Sequence, residues 1–222
     1  VTVTRPSLLA LFVSTSIALA CTSPQGEPAS RATSTSPSPS SSSSSSPARE
    51  IAGSQAKIPH EEGVAYFAGG CFWGVEHYLE QLEGVERVES GYMGGSVDAP
   101  SYEQVVEHGT GHYESVRVRF DPAEIEFAQV AKRFFEIHDP TQADGQGPDI
   151  GPQYRSAVFY TNDEQLQATR ELVAQLEARG YEVVTELLPA TTFWPAEDYH
   201  QDYYAKTNKT PYCHTRVRRF GD

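Results

Sequence analysis

Three side chains in this 222-residue sequence stand where covalent chemistry could be done: Cys71, Glu114 and Cys213. Cys71 lies in Gly69-Gly70-Cys71-Phe72-Trp73-Gly74, between an apolar run and a helical pattern. At a helix start, unpaired N–H groups and the helix dipole present partial positive charge, which favours thiolate over thiol. The thiolate is the nucleophile, so Cys71 is expected to react, a small packing residue being the alternative. Glu114 follows Gly111-His112-Tyr113 and shares a strand face with Val116, Val118 and Phe120, the face expected to be buried. Burial disfavours the charged form, so this carboxyl is expected to stay neutral and able to give a proton. The alternative is a strand-end glutamate paired with an arginine or turned to solvent. Cys213, in Pro211-Tyr212-Cys213-His214 of an irregular tail, suits a resolving thiol that swings in to form a transient disulfide. A static disulfide is the other reading of it.

The elements that must hold these groups can be read from periodicity. Residues 63–68 form a buried strand entering a tight turn at Gly69-Gly70, and residues 72–83 a helix with Phe72, Val75, Leu79 and Leu82 on one side. A strand over 85–92, a loop to Pro100 and an alternating strand over 112–120 come next. A helix is expected over 121–138, then a long Gly- and Pro-containing loop over 139–153, of the length usually reserved for function. Residues 155–160 read as a strand, Thr161 and Glu164 as a capping box for a helix ending at Gly180, and 182–188 as a last strand. A helical stretch over 195–206 precedes the tail. Alternating strands and helices suggest a sheet with helices packed on it.

Composition narrows the function classes. Lys and Arg total 17 against 30 Asp and Glu, a net charge of −13 that repels phosphate backbones and anionic lipid heads. The cysteines are scattered, with no C-x-x-C pair, which argues against a zinc ribbon, a thioredoxin-type dithiol and a metal site. Arg5 followed by the uncharged apolar residues 8–20 is too short for a bilayer span of roughly 20 residues but fits a signal peptide over 1–20, with Val1 as a non-standard initiator. Ile17-Ala18-Leu19-Ala20-Cys21 resembles a bacterial lipobox, although Leu usually stands where Ala18 does, so Cys21 is expected to carry lipid; ordinary cleavage after Ala20 is the alternative. Residues 21–56 hold the lipid-anchor cysteine and a Ser- and Pro-rich linker, including the run Ser40 to Ser46, which cannot bury enough apolar area to order itself. The domain, 57–222, is thus expected outside the cytoplasm, in the periplasm or on the cell surface.

Taken together, Gly70-Cys71-Phe72-Trp73-Gly74, Gly91-Tyr92-Met93-Gly94-Gly95, Tyr102-Glu103, Gly111-His112-Tyr113-Glu114, His138-Asp139-Pro140-Thr141, Gln153-Tyr154-Arg155-Ser156, Ala196-Glu197-Asp198-Tyr199-His200-Gln201 and Tyr212-Cys213 resemble, in order, the A-type peptide-methionine sulfoxide reductases. The resemblance implies a two-layer α/β (α+β) sandwich of ferredoxin-like type, with a mixed sheet and an irregular C-terminal tail. It implies reduction of the (S)-sulfoxide of free or protein-bound methionine. Cys71 would be the nucleophile, Glu114 the proton donor with Tyr102 and Tyr154 beside it, and Phe72 and Trp73 the aromatic wall for the S-methyl group. Asp149 would lie near the same pocket. Cys213 would resolve the Cys71 sulfenic acid to a disulfide, reduced in turn by thioredoxin or an extracytoplasmic thioredoxin-like dithiol. The scheme uses no cofactor or metal, and a monomer is expected. Gly145 stands where relatives usually carry Arg, no glycine-rich tail with a further cysteine follows Cys213, and no B-type segment is seen, so the (R)-sulfoxide is not an expected substrate. A thiol peroxidase, or a tethered non-catalytic binding lipoprotein with a Cys71–Cys213 disulfide, are the rival readings.

Overall fold

The computed structural model describes residues 60–221. The expected signal peptide, Cys21 and the linker lie outside the described residues. The main sheet has six strands in the order β7-β6-β1-β3-β2-β8. These are β1 (Val64–Gly69), β2 (Val85–Met93), β3 (Tyr113–Phe120), β6 (Ser156–Tyr160), β7 (Glu186–Pro189) and β8 (Trp194–Pro195). All neighbours are antiparallel except β6 and β7, so the sheet is mixed. Its central strands run β6-β1-β3-β2 and are linked through the helices α1 (Phe72–Leu79) and α3 (Phe127–Ile137), which is the expected ferredoxin-like arrangement. The remaining helices are α2 (Tyr102–Val106), α4 (Asp163–Glu177) and α5 (Tyr203–Thr207), and a two-strand hairpin joins β4 (Gly145–Gln146) to β5 (Asp149–Ile150).

The alternation read from β3 sets the two faces. Val116, Val118 and Phe120 pack into one cluster with Phe72, Val75 and Leu79 of α1, Val130, Phe134 and Ile137 of α3, and Leu172 and Leu176 of α4. The opposite face carries a smaller cluster of Tyr66, Met93, Tyr113 and Phe159, closed over by Ala190 and Phe193. Met93, the sole methionine of the sequence, is fully buried there.

Several expected boundaries shift, each for a local reason. The first helix stops at Leu79, because Leu82 donates to the Leu79 carbonyl and Val85 to that of Leu82, and Gly84 takes φ +84° to turn the chain. The helix expected from 121 begins only at Phe127: Asp121 caps a separate turn through the Ala123 N–H, and Glu126 with Gln129 forms the capping box. Asn162, not Thr161, caps α4, while Thr161 binds the Gln165 amide oxygen. The loop 139–153 contains the β4–β5 hairpin and a 3-10 turn over Pro152–Tyr154. The strand expected over 182–188 is narrowed to β7, the short β8 follows it where no strand was expected, and within the stretch 195–206 only the start of α5 is helical. Helix α2 was not expected; Ser101 and Gln104 form its capping box.

The C-terminal tail is irregular but docked. Arg216 donates to the buried Glu136 carboxylate at 2.8 Å, the Val217 N–H to the Glu136 carbonyl at 2.7 Å, and Phe220 packs in the core.

Helix α1 carries a second buried carboxyl, Glu76, 1 % exposed. Burial, then the nearby Glu80 charge, pushes its pKa up to about 8. The folded state therefore keeps a proton that the unfolded chain releases near pH ~4.3, and stability falls as pH rises between those values. Glu76→Gln is expected to stabilise the fold at pH 7 by on the order of 1–3 kcal/mol, with the gain vanishing near pH 4.5. Urea unfolding at both pH values checks it.

Candidate active site

Sheet register brings the chemistry to one end of the molecule. Gly69, at the end of β1, pairs with Ser156, at the start of β6, and Phe67 pairs with Val116 near the start of β3. The first residues beyond β1 and those opening β3 and β6 therefore converge: Cys71, Glu114 and Tyr154. A cavity of about 410 Å³ lined by Gly63, Phe120, Pro122 and Phe127 lies at the other end of β3 and touches none of them.

Cys71 is the N-cap residue of α1, yet its side chain makes no capping bond. Glu114 does this instead, its Oε2 accepting the Phe72 N–H at 3.1 Å. Glu114 is 2 % exposed, and burial raises its pKa well above the ordinary carboxylate value, with the Cys71 charge adding to the shift and the Phe72 bond opposing it. The neutral-acid expectation therefore holds. Because Oε2 is engaged as the acceptor, the acidic hydrogen belongs on Oε1.

The expected depression of the Cys71 pKa is reversed. The adjacent Cys213 thiol, then burial, pushes the Cys71 thiol up; the Trp73 N–H pulls it down, as a helix start should, but is outweighed. The acid form is thus the resting state. Cys71 and Cys213 are both free and close enough for Cys213 to act on the Cys71 thiol. The docked tail already holds Cys213 there, so the large swing expected of a mobile segment is not needed, and the static disulfide reading does not match.

Tyr102, on α2, and Tyr154 complete the group, and burial followed by the Glu114 charge raises both pKa values. Both remain protonated donors. Asp149 on β5 accepts the Tyr212 hydroxyl at 3.1 and 3.2 Å to its two oxygens, and its charge acts on Cys71 and Glu114. Phe72 is 1 % exposed, packed against His200 at 4.9 Å and Tyr92 at 5.9 Å between ring centres. Trp73 is only half-buried, so its face is the more open part of the aromatic wall.

Four supporting residues escaped identification as site residues from the sequence. Glu197 accepts both the Tyr102 N–H and the Tyr92 hydroxyl at 2.9 Å, fixing the start of α2. His200 accepts the Trp73 indole N–H at 3.1 Å, and Tyr203 stacks on the indole at 3.7 Å and 7°. His214 lies over Gly74, where a Cβ would overlap its ring. Nothing in residue spacing signals these contacts, since each joins α1 or α2 to the last thirty residues. The second glycine of Gly70-Cys71-Phe72-Trp73-Gly74 was the one available hint, because a glycine inside a helix implies close approach of something else. At Gly145, a Cβ would overlap the Asp149 carbonyl, so this hairpin closes tightly because no side chain stands there.

Comparison with known proteins agrees with this geometry. The family model described as "Peptide methionine sulfoxide reductase" matches residues 63–221. A protein of Acinetobacter baumannii (strain AYE) called peptide methionine sulfoxide reductase MsrA is 49 % identical over 153 residues, covering 69 % of this chain and 88 % of that one. One of the same name from Thermus thermophilus is 47 % identical over 153 residues, covering 68 % and 87 %. Among solved structures, Mxr1 of Saccharomyces cerevisiae in reduced form is similar at a TM-score of 0.64 and 32 % identity, over 71 % of this chain and 93 % of that chain. Methionine sulfoxide reductase A of Corynebacterium diphtheriae gives 0.61 and 32 %, over 69 % and 79 %. A match running the whole length of the folded domain, at nearly half identity to the bacterial proteins, places the chain in the peptide methionine sulfoxide reductase family.

Proposed function

We propose that Cys71 attacks the sulfur of methionine (S)-sulfoxide, free or in proteins, while Glu114 gives its proton to the sulfoxide oxygen. The Tyr102 and Tyr154 hydroxyls support that oxygen, and Phe72 and Trp73 bound the space for the S-methyl group, with apolar and sulfur–aromatic contacts. Oxygen passes from one sulfur to the other. The methionine S–O bond breaks, Cys71–SH becomes Cys71–SOH, and the thiol proton returns to Glu114. The methionine sulfur gains the two electrons that the cysteine sulfur loses. The observation that carries this reading is a buried carboxyl, its pKa raised by burial, bonded to the N–H of the residue next to a free cysteine. A sulfoxide oxygen leaves poorly unless protonated, whereas a peroxide already carries protonated oxygen and needs no such acid.

In the second half-reaction Cys213 attacks the Cys71 sulfenic sulfur, a disulfide forms and water leaves. A thioredoxin-like dithiol then reduces the disulfide. The signal-like residues 1–20, Cys21 and the Ser- and Pro-rich linker support an exported, lipid-anchored protein, so its reductant is an extracytoplasmic one. Metabolic labelling with a fatty acid tests the anchor, and an unlabelled wild type excludes it.

Turnover of the two sulfoxide epimers by wild type, Cys71→Ser and Cys213→Ser tests the chemistry. The wild type is expected to consume the (S)-epimer and leave the (R)-epimer. Cys213→Ser is expected to release about one methionine per enzyme and stop when thioredoxin is the only reductant. Sustained turnover by that variant excludes the resolving role.

A further inference from the structure

The scheme above gives His214 no part, although its ring is 2 % exposed and lies between the segments that carry the two cysteines. Its Nε2 is 2.7 Å from the Gly69 carbonyl. A carbonyl only accepts, so Nε2 carries hydrogen and donates. In a neutral imidazole this leaves Nδ1 as the acceptor. Nδ1 is 3.0 Å from Cys213 Sγ, so the thiol donates to it. Backbone two residues ahead of the nucleophile thus fixes the tautomer, and the free lone pair is aimed at the resolving sulfur. Gly74 leaves the first turn of α1 open where the ring sits, since a Cβ there would overlap Nδ1.

We propose that His214 is the general base of the resolving step, taking the Cys213 thiol proton on Nδ1 as the sulfur attacks Cys71–SOH. The S–S bond forms, the sulfenic S–O bond breaks, and the imidazolium hands the same proton to the departing hydroxide. One water leaves and His214 is neutral again. No oxidant beyond the sulfenic acid is required. Burial lowers the His214 pKa, so the base form is present through neutral pH; the Gly69 carbonyl and the Asp149 charge favour the transient cation. The other titratable groups facing it are Cys71, Cys213, the Tyr78 hydroxyl on its backbone carbonyl, and His138, which burial keeps neutral with a pKa of about 3.

This inference rests on the sulfenic acid chemistry proposed above, and the test separates the two. Purified protein is mixed with one equivalent of methionine (S)-sulfoxide, and methionine release and thiol loss are followed in the same acid-quenched samples. In the wild type the disulfide step is expected to be independent of pH between about 6 and 8, because the base is already unprotonated. His214→Asn keeps an acceptor near the thiol but cannot take up its proton. Disulfide formation in it is expected to slow about a hundredfold relative to methionine release. Its sulfenic acid should then accumulate, trappable by a cyclic dione, and its disulfide rate should climb about tenfold per pH unit as hydroxide takes over. A variant whose disulfide forms at the wild-type rate relative to methionine release, with the same flat pH profile, overturns the proposal. No methionine release by the wild type overturns the proposed function instead. Should the variant fail to fold, ¹⁵N spectra of the reduced wild type decide: hydrogen on Nε2 and a bare Nδ1 are expected, and the opposite tautomer overturns the proposal.

Discussion

Cys71→Ser is expected to lower methionine release from the sulfoxide by at least about 10⁴-fold, including the first turnover. Serine presents an oxygen that is far less acidic than a thiol and cannot take oxygen from a sulfoxide. The position already disfavours the anion of the more acidic thiol: Cys213 and burial push it up, and only the Trp73 N–H pulls the other way. A hydroxyl there would stay neutral throughout. The exchange is nearly isosteric at a side chain with 6 % exposure, so unfolding midpoints should move little. Rapid quench and chromatography of released methionine check it. A residual burst of one methionine per enzyme would assign the attack to another group, and the contrast with Cys213→Ser, which keeps that burst, separates nucleophile from resolver.

Glu114→Gln is expected to slow the first half-reaction by about 10²- to 10⁴-fold while making the protein more stable at neutral pH. The amide keeps the shape and an acceptor for the Phe72 N–H, but has no proton to give. Because burial holds the folded-state pKa above its unfolded value, the wild type loses stability as pH rises from about 4.3 toward that folded-state value, at roughly 1.4 kcal/mol per unit. The variant has no such loss. Its advantage in denaturant should be absent near pH 4 and grow toward neutrality. The rate should behave in the matching way: wild-type methionine release declines as the carboxyl ionises, and the residual rate of Glu114→Gln does not follow that decline. An inactive variant that is also less stable at pH 7 would contradict a neutral buried acid.

Both predictions concern residues legible in the sequence, because each is fixed by local pattern. Strand alternation in β3 put Glu114 on the covered face, and the glycine turn after β1 put Cys71 at a helix start. The central strands and α1, α3 and α4 were visible for the same reason, through periods of two and 3.6. Boundaries were not, because side-chain caps such as Asp121, Asn162 and Ser101 compete with neighbouring residues of similar propensity, and only the folded chain selects among them. The direction of the Cys71 shift was misread because a helix terminus is a short-range fact, whereas Cys213, 142 positions away in the sequence, is what sits against the sulfur. The same holds for Glu197, His200 and His214. They reach α1 and α2 only once β8 and the tail have docked, and no spacing rule encodes that approach.

Met93, enclosed between β2 and the segment that covers it, has a consequence for how the enzyme fares among its own copies. A protein that repairs oxidised thioethers would become its own competitor if it displayed one, since every damaged copy would occupy the cleft of another. Here the only methionine in the sequence is out of reach of both oxidant and neighbour. An oxidant burst can therefore fill the solution with damaged proteins without enrolling the repair enzyme among its own clients.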